Sequence, residues 1–323
     1  MRGVRWEKHM PGLARSNVRT SFSGCELQQE GPICARLGLD RDTPSIFKYS
    51  DERVSIAAYV RMGRARITCQ DSAMVFVGNG RAAIGVFDGF KAAGSMLSEF
   101  VPDRTIEYLA ADARNFPFQR AVVDACSMSE PPEFQRKGGA TAAFASVSLD
   151  DLGYHLMGVS DAAAYRLWGH ANEAHGLVER RLEYGNDSRG HPIAGKELEA
   201  YFERRNVVSR TITCGCLDEL KINTDGGMLM PGEGILLATD GITKNLSVLF
   251  DPSSYKVTEN SGCRDLGRIL SRCSSPWGII AAIIGEIDRR ITFRSQEGYA
   301  PDMPTGEAIR PDADDMAIAV IIV

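Results

Sequence analysis

The chain has 323 residues, 44% of them hydrophobic and 24% charged, the ordinary balance of a globular protein able to bury a sizeable core in one large domain or two. Its net charge of −5, with arginines scattered singly or in pairs such as Arg180-Arg181 and Arg289-Arg290, excludes the basic footprint of a nucleic-acid binder. The longest apolar run of the C-terminal half, Trp277 to Ile284, falls far short of the roughly 20 residues a membrane helix needs. The charged opening from Met1 to Met10 lacks an apolar signal core, so the expectation is a cytoplasmic protein with no membrane partner. Its eight cysteines form no Cys-x-x-Cys and have few histidines near them to complete a zinc site, and they read as reduced thiols that mostly fill core.

Residues 1 to 50 mix Gly, Pro, Ser and both charges without clean periodicity, which predicts an irregular N-terminal extension draped on the body. Val54 to Val60 is strand-like, and an arginine-rich approach, Arg61 to Gln70, leads from it into a hairpin. The hairpin is signalled by Asn79-Gly80 between the apolar runs Ala73–Val77 and Ala82–Phe87. With Asn79 and Gly80 as the two loop residues, Asp71 faces Asp88 directly across the ladder. Like charges placed opposite each other destabilise a sheet, so the pair is either solvated at a hairpin end or shares a cation. The hairpin alone favours the first reading. Arg66 lies five residues before Asp71, where a guanidinium could grip an incoming phosphate in bidentate fashion.

After Gly89 the spacing of Ala92, Ala93, Met96, Leu97 and Phe100 predicts a helix that stops at Pro102, with a second helical stretch over about 104 to 127. Gly138 to Val147, small and apolar, predicts a central strand approached closely by its neighbours. Tyr154–Val159 and Ala163–Trp168 read as another hairpin, with Asp161 at its tip. Residues 169 to 209 are polar, with a loop at 185–192 and a short helix at 196–205, and predict an inserted element too small and polar to be a domain. Ile235 to Gly241 repeats the design of the first hairpin, an apolar run closed by Asp240-Gly241. Arg264–Cys273 and Trp277–Ile291 show helical periodicity, 302–313 is loop, and the chain closes with a strand opened by Asp314-Asp315.

Asp88 and Asp240 end strands whereas Asp71 and Asp314 begin them, so all four meet at one edge if the strands pair antiparallel. Aspartate, backbone carbonyl and water are hard oxygen ligands suited to Mg²⁺ or Mn²⁺ and poorly suited to zinc or copper. Several carboxylates can hold two such ions about 4 Å apart, an arrangement that hydrolyses phosphate esters. Each aspartate alone reads as a cap or turn residue, and it is the repetition at strand tips that weakens that reading.

The ordered series Arg66 with Gln70-Asp71, Val86-Phe87-Asp88-Gly89, Gly139-Ala140-Thr141-Ala142, Gly158–Tyr165, Leu237–Gly241 and Asp314–Ala317 resembles the signature motifs of the protein phosphatase 2C family, metal-dependent protein Ser/Thr phosphatases. The resemblance implies an α+β fold, a four-layer αββα sandwich of two mainly antiparallel sheets flanked by helices. It implies one catalytic domain over residues 51–323, with 169–209 as a flap beside the site. By motif, Asp88 would bridge two Mn²⁺ or Mg²⁺ ions, the Gly89 carbonyl would bind one, and Asp240 and Asp314 the other. Asp71 would support the shell through water, Arg66 would bind the substrate phosphate, and Asp161 would help hold a third ion. A metal-bridging hydroxide would attack phosphorus directly, and the partner would be a phosphorylated protein.

The chain departs from the family pattern around these residues. Phe90 stands where a histidine or methionine is common and cannot be a general acid. Lys91 stands where glycine is usual and would either repel a second ion or meet a phosphate. Gln70 replaces a common Glu and removes a negative charge from behind the ligands. Only the carboxylate of the usual Gly-Asp-Ser-Arg remains in Ser160-Asp161-Ala162-Ala163. Two alternatives stand beside the phosphatase: a catalytically weak or inactive binding module on the same fold, and a phosphatase of small phosphorylated metabolites.

Overall fold

The computed structural model describes residues 32–38, 43–63, 68–111, 117–128, 138–160, 162–167, 174–176, 211–217, 220–251, 256–259, 272–296 and 314–323. Its centre is the Asn79-Gly80 hairpin. Asn79 and Gly80 take left-handed backbone angles of φ 53° and 69°, the twist that a two-residue turn needs to match its strands. They join strand β4 (Asp71–Gly78) to β5 (Arg81–Phe90) in the register expected from the sequence, Asp71 opposite Asp88.

Around this hairpin the first sheet adds β1 (Ile33–Gly38), β6 (Gly139–Ser148), β7 (Gly153–Val159) and β10 (Asn223–Met228), in the order β1-β4-β5-β6-β7-β10. The second sheet has the order β2-β3-β14-β11-β8-β9, from β2 (Ser45–Ser50), β3 (Ser55–Arg61), β8 (Ala163–Leu167), β9 (Ala174–Gly176), β11 (Gly234–Ala238) and β14 (Met316–Ile322). Every pairing in both sheets is antiparallel. A separate hairpin joins β12 (Val248–Asp251) to β13 (Lys256–Glu259).

Three apolar layers hold the stack together. Alternate residues of both sheets, among them Val75, Ile84, Ala145, Leu237 and Ala319, fill the space between the sheets. The opposite face of the first sheet, with Phe76, Phe87 and Phe144, packs on helices α1 (Lys91–Ala111) and α2 (Pro117–Ser127) through Leu97, Leu109 and Phe118. The outer face of the second sheet packs on α3 (Asp240–Ser247) and α4 (Pro276–Gln296), whose Ile279, Ile280, Ile283 and Ile287 form the apolar stripe expected from their spacing. The result is the αββα sandwich.

Four expectations are corrected. Residues 1 to 50 are not irregular throughout, because Ile33–Gly38 and Ser45–Ser50 form edge strands of the two sheets. The first helix does not stop at Pro102 but runs through it to Ala111. Proline has no N–H for the carbonyl four residues back, and here the Ser72 hydroxyl donates to that carbonyl, on Ser98, instead. The second helical stretch accordingly begins at Pro117 rather than near 104. Finally, Tyr154–Val159 and Ala163–Leu167 are not a hairpin: β7 lies in the first sheet and β8 in the second. The chain turns through Ser160, at φ 64°, and switches sheets there, as strands do at the corners of sandwiches. The expectations for 169–173, 177–209, 264–271 and 302–313 fall outside the described residues, as do Arg66 and Asp161; within the expected flap, 174–176 is strand β9.

Candidate metal centre

Strand alternation decides which side chains enter the inter-sheet space. Ala73 and Val75 of β4, Ile84 and Val86 of β5, and Ala143 and Ala145 of β6 all face it. Two residues further along each strand stand Asp71, Asp88 and Thr141, in mutual register across the first sheet. On the second sheet Leu237 and Ala317 face inward, and the same two-residue step reaches Thr239 and Asp315. Each sheet therefore brings carboxylates and hydroxyls to the same end of the sandwich.

Hydrogen bonds tie the two halves together there. The Thr239 hydroxyl donates to Asp71 Oδ2 at 2.7 Å, and Thr239 N–H donates to Ala317 O at 2.9 Å. Asp315, buried at 3% exposure, accepts from Gly63 N–H at 2.7 Å on Oδ1 and from Gln70 N–H at 2.6 Å on Oδ2. Asp314 precedes it, and its Oδ1 accepts the Asp315 N–H at 3.0 Å. Gly89 N–H donates to Gln70 O at 3.1 Å. Two glycines permit this crowding. A Cβ on Gly89 would collide with Gly94 O, and one on Gly241 with Asp315 O.

Asp71 carries the electrostatic signature of the cluster. Burial raises its carboxyl well above the usual carboxylate range, and Asp315, Cys69 and Asp314 raise it further, against the hydrogen bond from Thr239. Asp240 is buried at 5% exposure and opens α3, one residue after Thr239. Asp88 is half-buried, and Gly89 beside it is buried. Thus Asp71 is placed with Asp88 by register and next to Asp315 by the neighbouring Gln70 N–H that donates to it, with Asp314 adjoining, while Asp240 adjoins the threonine that binds Asp71.

Three contributors were not singled out from the sequence. Asp315 appears there only as the second of a doublet, yet strand parity from Ala317 and Ala319 marks it, rather than Asp314, as the inward-facing residue. Thr239 and Thr141 each lie next to a quoted motif residue, and register with buried neighbours is the signal that could have found them.

The donor chemistry fits a hard divalent cation: carboxylates on four strand or helix ends, a buried glycine carbonyl, and the buried Thr141 hydroxyl, in register with Asp88 and without a hydrogen-bond partner. Among the described residues, no group of three or more His, Cys, Asp or Glu side chains is close enough to hold an ion by side chains alone.

No family profile and no curated protein matches the sequence. Solved structures do. The serine/threonine phosphatase of S. agalactiae aligns with a TM-score of 0.60 at 14% identity, over 84% of this chain and 99% of that one. The Mycobacterium tuberculosis serine/threonine phosphatase PstP/Ppp aligns at 0.53 and 14% identity, over 84% and 98%. RsbX, solved in complex with magnesium, aligns at 0.52 and 14% identity, over 86% and 99%. The chain has the fold of these proteins, two of them serine/threonine phosphatases, and it is the sandwich that the resemblance to protein phosphatase 2C implies. No helix among the described residues is long and apolar enough to cross a membrane.

Proposed function

We propose that the protein is a metal-dependent phosphatase of phosphoserine and phosphothreonine in proteins, acting in the cytoplasm. The observation that carries the reading is the gathering of Asp71 and Asp88 from one sheet with Asp314 and Asp315 from the other, beside Asp240, at one end of a phosphatase fold. Clustered carboxylates in a buried place cost stability, and a fold that keeps them has a use for a cation there.

In this reading Asp88, the Gly89 carbonyl, Asp240 and Asp314 would hold two Mn²⁺ or Mg²⁺ ions, with Asp71 supporting them from the outer shell and Asp161 available for a third. Such ions, when bound, make a water nucleophilic at neutral pH and offset the charge of the phosphate. The chain's own contribution is to orient. Thr239 fixes the Asp71 carboxylate, and Asp315 and Gln70 fix the Gly89 peptide; Arg66 would grip the phosphate oxygens. Phe90, half-buried at the end of β5, offers no proton to the leaving alkoxide, so water supplies it. Residues 169–209, as a flap, would choose the phosphoprotein. Phe90 is also the observation that favours a second reading, a binding module of low turnover on the same fold.

The deciding measurement is hydrolysis of p-nitrophenyl phosphate and a phosphothreonine peptide with Mn²⁺, Mg²⁺ or chelator, for the wild type and Asp240→Asn. Metal-dependent turnover that Asp240→Asn abolishes is expected. Turnover that survives chelation defeats the reading, and tight phosphopeptide binding with no hydrolysis selects the module.

A further inference from the structure

Gln70 sits where the two sheets and the start of α1 meet, and its backbone N–H, its backbone carbonyl and its side-chain Nε2 are all engaged. Its N–H donates to Asp315 Oδ2 at 2.6 Å, and its carbonyl accepts Gly89 N–H at 3.1 Å. Its side-chain Nε2 donates to the Lys91 carbonyl at 2.7 Å and to Ser95 Oγ at 3.2 Å. Lys91 is held at φ 60°, a left-handed conformation that a non-glycine residue keeps only when its surroundings impose it. The same short segment carries Gly89 and closes against Gly94 and Gly138, where an added Cβ would meet Gly89 and Phe90 backbone atoms.

We propose that Gln70 is a positioning residue of the candidate site, whose side-chain amide sets the Gly89–Lys91 bend because it must donate to the Lys91 carbonyl. A glutamate cannot do this: a carboxylate is acceptor-only and would set oxygen against oxygen at the 2.7 Å now spanned by a hydrogen bond. Gln70 and Lys91, two separate departures in the sequence, are then one paired change. A lysine forced into a glycine's conformation is held by an amide that replaces the acid. The consequence is counterintuitive. Gln70→Glu, which restores the residue common in the family and adds negative charge near the proposed ions, weakens the site instead of strengthening it.

The inference rests on the phosphatase reading for its effect on turnover, but not for the tie itself. Three variants separate the two: Gln70→Glu, Lys91→Gly and the double variant. With p-nitrophenyl phosphate, Gln70→Glu is expected to lower kcat and raise the Mn²⁺ concentration for half-activation, each about tenfold, with KM nearly unchanged. In the Lys91→Gly background the same change should cost less than about threefold, because glycine takes the left-handed bend without the tie. Gln70→Glu with activity at or above wild type, or with an equal loss in both backgrounds, overturns the proposal. Thermal melting of the metal-free variants reads the tie without turnover. Gln70→Glu should lower the melting temperature by several degrees alone and by much less beside Lys91→Gly. Equal drops overturn the pairing even in a protein that hydrolyses nothing, whereas unequal drops with no hydrolysis sustain the pairing and reject only the phosphatase.

Discussion

Two aspartates at opposite ends of the sandwich have opposite fates. At the turn between β2 and β3, Asp51 accepts from Tyr49 OH at 2.7 Å and from the N–H groups of Arg53 and Val54 at 2.8 Å each. Burial works against its charge, yet these three donors and the Arg53 charge hold it below the usual carboxylate range. Asp71, at the other end, is pushed up by burial and by Asp315, Cys69 and Asp314, with the Thr239 hydroxyl only partly offsetting them. The Asp51 end also holds Arg166 against Glu233 at 2.6 Å and against Met228 O at 3.0 Å, with the Tyr154 ring 5.8 Å from the guanidinium carbon. One end spends its charges on holding the fold; the other keeps like charges together at a cost that a bound cation would relieve.

The contrast can be broken most sharply at Asp88. Asp88→Ala should lower metal-dependent phosphopeptide turnover on the order of 10³-fold, with an unchanged circular dichroism spectrum. Retained turnover would remove the carboxylate end from the chemistry. At the other end Arg166→Met leaves Glu233 without its guanidinium and should cost about 2 kcal/mol of stability in a denaturant melt. The Mn²⁺ activation constant should not move, because no proposed ligand lies there.

Asp71→Asn sharpens the comparison by moving two quantities in opposite directions. A carboxyl raised in the folded state supports stability at low pH and loses that support as pH rises above its unfolded value. At neutral pH the metal-free asparagine variant should therefore melt higher than the metal-free wild type, while needing more Mn²⁺ for activity. A lower melting temperature would show that Asp71 is a structural acid like Asp51. Asp51, held low when folded, contributes stability above about pH 4 that disappears as pH falls through its folded pKa. Asp51→Asn should flatten that acid limb by a few tenths of a kcal/mol at most, since the group is exposed. Tyr49, pushed up to about 12 by burial and by Asp51, should contribute stability that is complete below about pH 10 and lost above it. Tyr49→Phe should remove that small alkaline loss.

Where the determinants were local, the sequence could be read. Asn79-Gly80 specifies a turn type, the turn specifies register, and register alone places Asp71 opposite Asp88. The isoleucine stripe of α4 is a matter of period and was equally legible. Pro102 misled because the propensity rule assumes an unanswered carbonyl, and the answer comes from Ser72, distant in sequence. The supposed hairpin at Ser160 misled because two apolar runs with a short link do not say whether they pair or part into different layers. The edge strands Ile33–Gly38 and Ser45–Ser50 are hard to read from sequence because edges are short and half exposed, so their apolar contrast is weak.

By itself the sequence determined the central hairpin and its register, the isoleucine-striped helix, and a set of hard oxygen donors in the order of a known family, because turn chemistry and strand period act over a few residues. Only the tertiary structure decided that Asp315 accepts from Gly63 and Gln70, that Thr239 reaches Asp71 across the gap between sheets, and that the Gln70 amide donates to the Lys91 carbonyl. Those outcomes depend on how two sheets, more than a hundred residues apart in parts of the chain, are brought face to face by burial of the apolar layer between them.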